Sequence, residues 1–268
     1  MTGIEHKTNE LGYSLLLSLL DRFESTRIDA ILDGLLSRQV EGIIWAVPGQ
    51  NQLLEWVIAK TENLPVPLVY LNKGQYEDHV VVSVDNLYGG QLATQHLIDQ
   101  GYQRIGIITG PPDWWEAQER ERGWRQTLIE SGRDDDLDSL KVNGDWSAAS
   151  GDIGLSTLHE KSPDLDAVFV SNDQMALGAL QAARRLGLRV PQDLGVVGFD
   201  DIPEAAYFYP SLTTVRQNTE KLGAAAVETI NSLIQARRES EPFVQEIFHI
   251  KPRLIIRKSS KPDSEWRV

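Results

Sequence analysis

The 268-residue chain contains no cysteine, which excludes disulfides, thiolate nucleophiles and thiolate metal sites. This composition fits a cytoplasmic protein. Positive charge is also scarce, because 26 lysines and arginines stand against 39 aspartates and glutamates and give a net charge of −13. Nucleic-acid binding needs positive charge against phosphates, so we do not expect this chain to bind nucleic acid by itself.

Long hydrophobic runs are missing as well. The apolar run at residues 15–20 is too short to span a membrane, and the residues before it lack the basic flank of a secretory signal. We therefore expect no membrane partner. The same run, taken as residues 13–19, is predicted to be a strand of the fold.

Motifs that carry catalysis or bind cofactors are absent from the sequence. It has no Walker glycine loop, no G-x-G-x-x-G and no G-x-S-x-G. The histidines show no metal-ligand spacing, and they are His6, His79, His96, His159 and His249. We expect no enzymatic activity, no cofactor and no metal site.

Apolar runs alternate with helical patterns along most of the chain. Four helical patterns end at a glycine just before a strand or the approach to one, at Gly12, Gly101, Gly132 and Gly187. Further strands are predicted at residues 42–47, 66–71, 80–84, 105–108, 166–170 and 194–199. Further helices are predicted at residues 28–38, 53–61, 88–100, 116–130, 148–159 and 174–186. This order indicates an α/β fold, and the number of strands favours two parallel sheets in two lobes.

Residues 194–217 form the stretch around which the chain is organised. A buried strand ends in Asp200 and Asp201, and ligands of open α/β folds bind at such carboxyl ends. Neighbours in an extended chain point to opposite faces, so an acid/base dyad is not expected. We expect one of the two aspartates to face a cleft and the other to bond the backbone.

Other polar residues at strand exits are candidates for the same site. Asp85 precedes a helix and is as suitable for an N-cap as for a ligand contact. Asn172 and Asp173 follow a strand in the same way. Arg120 has Glu116 four residues earlier, a spacing also typical of a surface ion pair. Trp146 is suited to packing or to stacking on a ligand.

Several motifs occur together in a fixed order: SVDN at residues 83–86, GYQRI at 101–105 leading to GP at 110–111, GDWSA at 144–148, SNDQMALG at 171–178, VGFDDI at 197–202 and LTTVRQ at 212–217. On these motifs the chain resembles the effector-binding domain of LacI/GalR-type transcriptional regulators, which share the fold of type I periplasmic sugar-binding proteins. The resemblance covers about residues 5–258.

The resemblance implies two lobes joined by three crossover strands, near residues 98–104, 212–217 and 238–246. The N-terminal lobe would comprise residues 1–100 and 215–243, the C-terminal lobe 101–214 and 244–258, and 259–268 would be a tail. A small effector, a mono- or disaccharide, would lie in the cleft. It would contact Asp85 from the N-terminal lobe and Arg120, Trp146, Asn172 and Asp200 from the C-terminal lobe. Lobe closure would alter the spacing of DNA-binding headpieces in a homodimer.

The start of the sequence departs from the family pattern. Members begin with a helix-turn-helix headpiece, a hinge and a first strand, whereas this chain begins within what resembles the following helix. We therefore expect operator binding only through a headpiece outside this sequence, and an N-terminal sheet without one inner strand. The alternatives are a sugar-binding protein of a transport system or a truncated regulator that does not bind DNA. The motifs at 171–178 and 212–217 favour the regulator.

Overall fold

The computed structural model describes residues 1–20, 25–46, 61, 64–71, 79–133, 135–240 and 248–261. Contacts divide the chain into two compact units. The first contains Met1–Val84 and Asn218–Ile250, and the second contains Asp85–Gln217 and the residues from Lys251 onward. The helix predicted at residues 53–61 lies almost wholly outside the described residues, as do much of the third crossover and most of the tail.

The first unit is built on a parallel sheet of four described strands in the order β1-β2-β3-β9. Its strands are β1 (Ile43–Trp45), β2 (Leu68–Leu71), β3 (Val81–Val84) and β9 (Phe248–Ile250). Its described helices are α1 (Thr2–Glu10), α2 (Ser25–Leu36) and α7 (Thr219–Glu239). Alternate strand residues face opposite sides: Val69 and Val82 pack with α1 and α7, whereas Tyr70 and Val81 pack with α2.

The strand predicted at residues 13–19 is not formed, although the helix before it is. Leu17 and Leu19 are 61% and 77% exposed. The segment and β1 both line an apolar cavity of about 660 Å³, whose other walls include Ile230 and Ile234 of α7. A strand requires a hydrogen-bonded neighbour, and residues 13–20 pair with none of the described strands.

The second unit is built on six described strands in the order β10-β8-β7-β6-β4-β5, all parallel except β10. These strands are β4 (Ile105–Thr109), β5 (Lys141–Asn143), β6 (Ala167–Val170), β7 (Gly195–Asp200), β8 (Thr213–Arg216) and β10 (Arg253–Ile255). The helices are α3 (Asn86–Asp99), α4 (Trp115–Glu130), α5 (Ala148–Lys161) and α6 (Asp173–Arg185), with a 3-10 turn at Pro203–Tyr207. Helices α3 and α4 pack together, as do α5 and α6, and the central strands are buried between the pairs.

The α/β prediction with two parallel sheets is confirmed. All four predicted glycine caps have positive φ, from 68° at Gly132 to 93° at Gly101, the left-handed conformation that ends a helix. The unit boundaries differ from the expected lobes, because α3 lies in the second unit and not in the N-terminal lobe. It packs on α4 and on the second sheet, where Ala93 and Leu97 are fully buried.

Candidate functional site

The carboxyl ends of β4, β6 and β7 meet at one edge of the second sheet. These strands are parallel neighbours in register, so Thr109, Ser171 and Asp200 end at the same side. Four of the five predicted site residues, Arg120, Trp146, Asn172 and Asp200, are connected at this edge. The connections run through hydrogen bonds, an ion pair and ring contacts.

Arg120 is the centre of the group, and it is only 5% exposed. Its Nε donates to Asn86 Oδ1 at 2.8 Å, and its Nη1 donates to the carbonyl oxygen of Ser171 at 2.5 Å. Nη1 also lies 3.7 Å from Asp200 Oδ1. Arg120 therefore does not form the surface ion pair with Glu116 that the sequence spacing allowed.

The two aspartates at the end of β7 have separate partners, as their alternation predicted. Asp200 Oδ1 accepts a hydrogen bond from Gln217 Nε2 at 2.5 Å, and its side chain remains 27% exposed. Asp201 is bound by the guanidinium groups of Arg216 and Arg257, so the expectation that one of the two aspartates bonds the backbone is wrong. A buried carboxylate beside two cations is better compensated by them than by a single amide N–H.

Trp146 packs its indole against the backbone at Gly110, where a Cβ atom would lie only 2.1 Å from two ring carbons. Its ring also meets Trp114 edge to face, with centroids 5.7 Å apart. The centroid of Trp146 lies 5.7 Å from Arg120 Cζ. Trp146 thus combines the packing role with a position beside the charged group.

The backbone at these positions is unusual. Trp146, Asp200 and Asp201 are non-glycine residues with φ values of 72°, 117° and 57°. Such conformations cost free energy and persist where the surroundings enforce them, often at ligand sites. Two of the five predicted site residues are among them.

Asn172 and Asp85 are both helix N-caps. Asn172 Oδ1 accepts the Met175 N–H at 2.8 Å, and its Nδ2 donates to the carbonyl oxygen of Trp146 at 3.0 Å. Asp85 Oδ1 accepts the Tyr88 N–H at 2.9 Å. Asp85 makes no hydrogen bond to the other four predicted residues, and it begins the second unit instead of reaching over from the first.

Two further polar residues at this edge, Glu116 and Gln217, were not among the candidates from the sequence, and Asp173 was named only as a residue at a strand exit. Glu116 is 9% exposed, and its Oε2 has no hydrogen-bond partner. Asp173 is fully buried and binds the Thr214 hydroxyl at 2.6 Å and the Ile202 N–H at 2.9 Å. The sequence feature that could have identified Glu116 as a neighbour of Arg120 was their i,i+4 spacing, which places both residues on one face of α4.

Burial raises the pKa values of three carboxyl groups at this edge of the sheet. Desolvation raises the pKa of Glu116, and Arg120 acts against that rise. Desolvation also raises the pKa of Asp200, opposed by Arg120 and Gln217. It raises the pKa of Asp173 to about 7, despite the Thr214 and Ile202 hydrogen bonds. Among the described residues, no group of three or more His, Asp or Glu side chains is placed to hold a metal ion.

Comparison with known proteins identifies the class of protein to which this chain belongs. The family model of a periplasmic binding protein-like domain matches residues 94–260, more than half of the chain. The ribose operon repressor of Escherichia coli strain K12 is 33% identical over 251 residues, covering 91% of this chain and 75% of the repressor. The chain therefore belongs to the LacI family of transcriptional regulators and carries their effector-binding domain, which is not an enzyme.

Two solved structures show the same architecture. A complex of the transcriptional regulator CelR with cellobiose has a TM-score of 0.85 and 30% identity, and the match covers 96% of this chain and 77% of that one. A lac repressor dimer bound to operator and the anti-inducer ONPF has a TM-score of 0.84 and 29% identity, covering 97% of this chain and 87% of that one. In the part of the chain that is described, no helix has the length and hydrophobicity needed to cross a membrane.

Proposed function

We propose that this chain is the saccharide-sensing part of a LacI-family transcriptional regulator. The observation that carries the proposal is the grouping of Asp200, Arg120 and Trp146 at the carboxyl end of the second sheet. A partly exposed carboxylate can bond adjacent hydroxyls of a sugar, and an indole can cover the apolar face of its ring. Asn172, and Asp85 through its second carboxylate oxygen, are the further proposed contacts.

The family relationship supports a sugar as the ligand. The names of similar proteins include a ribose operon repressor and a CelR complex with cellobiose. The two sugars in those names are polyols, which suit the amide and carboxylate groups at the site. A mono- or disaccharide is the effector class that we propose.

The proposed mechanism is a shift of a conformational equilibrium. Effector binding would favour a closed arrangement of the two units, and a ligand can shift such an equilibrium only by its different affinity for the two states. In a cytoplasmic homodimer the shift would change operator binding through a DNA-binding element that the described residues do not include. One of the solved relatives is a dimer bound to operator, which supports this assignment.

A thermal melt with a panel of sugars tests the proposal. A ligand that binds only the folded state stabilises it by about 2.7 kcal/mol at one hundred times its dissociation constant. We expect one class of sugar to raise the melting temperature of the parent chain and to leave Asp200→Ala unshifted. Asp164→Ala, a change at a surface residue 71% exposed in its side chain, is the matched control and keeps the shift. A panel without any shift would contradict the proposal.

A further inference from the structure

Three residues around Arg120 each carry a buried polar atom without a hydrogen-bond partner: Glu116 Oε2, Trp146 Nε1 and Ser171 Oγ. Glu116 lies one turn before Arg120 on α4 and interacts with its charge. The Trp146 ring is 5.7 Å from Arg120 Cζ, and the Ser171 carbonyl oxygen accepts from Arg120 Nη1. Buried polar atoms without partners are rare in folded proteins, so three beside one side chain call for an explanation.

The charges around these atoms are predominantly negative. Arg120 already bonds Asn86 and Ser171 and faces Asp200. Asp200, Glu116 and Asp173 all interact with its single positive charge. A phosphate brought to Arg120 would therefore meet a cation that is already engaged and several acidic groups.

The three atoms differ in what they require. An indole N–H only donates, an ionised carboxylate only accepts, and a serine hydroxyl does both. A hydroxyl group of a ligand can donate as well as accept, so ligand hydroxyls match the hydrogen-bonding needs of all three atoms. A fully ionised phosphate group in place of one of those hydroxyls only accepts, so it cannot donate to the carboxylate.

We propose that Glu116 is a ligand-binding residue that makes this site selective for uncharged polyhydroxy ligands over their phosphorylated forms. The inference rests on the proposed function, because it names the ligand class of the same site. Glu116 would accept hydrogen bonds from ligand hydroxyls and repel anionic substituents.

This role predicts opposite effects on folding and on binding. A buried carboxylate oxygen without a hydrogen-bond partner destabilises the unliganded protein, and the isosteric amide removes the charge of that group. Glu116→Gln should therefore melt at the same temperature as the parent chain or higher. A purely structural role for Glu116 would instead lower the melting temperature of the variant.

The experiment measures dissociation constants by calorimetry for ribose, glucose, cellobiose, ribose phosphate and glucose phosphate. We expect the parent chain to bind an uncharged sugar at least about tenfold more tightly than its phosphate, and Glu116→Gln to reduce that ratio at least about tenfold. Glu116→Ala should weaken binding of the uncharged sugar by a similar factor. The control Glu130→Gln changes an exposed residue on the same helix and should alter neither property.

The outcomes separate the two claims. If the parent binds a sugar and both Glu116 variants retain its affinity and selectivity, the role of Glu116 is overturned and the sensing function stands. Preferential binding of a sugar phosphate by the parent would also overturn it. If no sugar binds the parent, the sensing function fails, and the role of Glu116 fails with it.

Discussion

The guanidinium carbon of Arg120 lies 3.7 Å from the ring centroid of Phe199. The ring edge on the α3 side packs against Gly89, where a Cβ atom would come within 2.6 Å of a ring carbon. The phenyl ring is thus held between the backbone of α3 and the cation of α4. This arrangement gives the positive charge a favourable aromatic face inside the second unit and joins β7 to two helices.

Replacing Arg120 should therefore affect folding as well as binding. Arg120→Ala leaves Asp200 and Glu116 without their shared cation, and we expect a loss of about 3–5 kcal/mol in the free energy of unfolding. Arg120→Lys keeps the charge but cannot bond Asn86 and Ser171 from one planar group, so it should recover only part of that loss. Urea denaturation measures both.

The control for this prediction is Arg122→Ala on the same helix. Arg122 is 56% exposed in its side chain and pairs with Glu119, so its loss should cost less than about 1 kcal/mol. If Arg120→Ala is as stable as Arg122→Ala, the buried cation does not hold the second unit together in the way that its contacts indicate.

Gly110 is the second position where one added carbon should alter the site. In Gly110→Ala the new methyl group would overlap the indole of Trp146, which must then move. The predicted result is a changed near-ultraviolet circular dichroism signal and loss of sugar binding, with a stability loss of about 1–3 kcal/mol from overpacking. A variant with parental aromatic signal and affinity would show that the indole position is not required.

Much of the fold could be predicted because local signals and burial agree. Apolar runs such as residues 166–170 and 194–199 are strands buried on both faces, and glycines such as Gly101 and Gly187 end helices. In the first unit the same reasoning failed at residues 13–19. An apolar run specifies a strand only when a neighbour completes its hydrogen bonds, and that neighbour is not a local property.

For the candidate site, the sequence suggested residues but not the contacts between them. Strand ends pointed to Asn172 and Asp200, because carboxyl ends of parallel strands share one edge. The burial of Glu116 and the pairing of Asp201 with Arg216 and Arg257 depend on elements far apart in sequence. The helix Thr219–Glu239 escaped prediction altogether, although its 21 residues cover one face of the first sheet.

Two glycines in different backbone conformations, one after a helix and one inside a helix, should respond to alanine in opposite ways. Gly132 follows α4 with φ of 68° and open space around a Cβ position, so Gly132→Ala should lose about 1 kcal/mol purely from backbone conformation. Gly34 lies inside α2 with ordinary contacts, so Gly34→Ala should gain about 0.5–1 kcal/mol. Equal effects in chemical denaturation would contradict the assigned conformations.

Asp173 should make the stability of the protein fall as the pH rises. Its pKa is raised from 3.8 to about 7, mainly because it is buried, so the folded state favours the protonated carboxyl. The stabilisation that comes from the protonated carboxyl is fully present below the pKa that Asp173 has in the unfolded chain. It is lost as the pH rises through the pKa of Asp173 in the folded protein. The loss from this group is about 4 kcal/mol at most and occurs between about pH 4 and about pH 7.

The test compares the parent chain with Asp173→Asn by urea denaturation across that pH range. The asparagine amide keeps the shape, one acceptor for the Ile202 N–H and a polar contact to Thr214, but it does not titrate. The difference in unfolding free energy, parent minus variant, should therefore shrink or change sign as the pH rises. Other groups with raised pKa values, Glu116 and Asp200, remain in both proteins and cancel in the comparison. Curves that stay parallel across the range would mean that Asp173 is ionised throughout, its charge compensated by the two hydrogen bonds that it accepts.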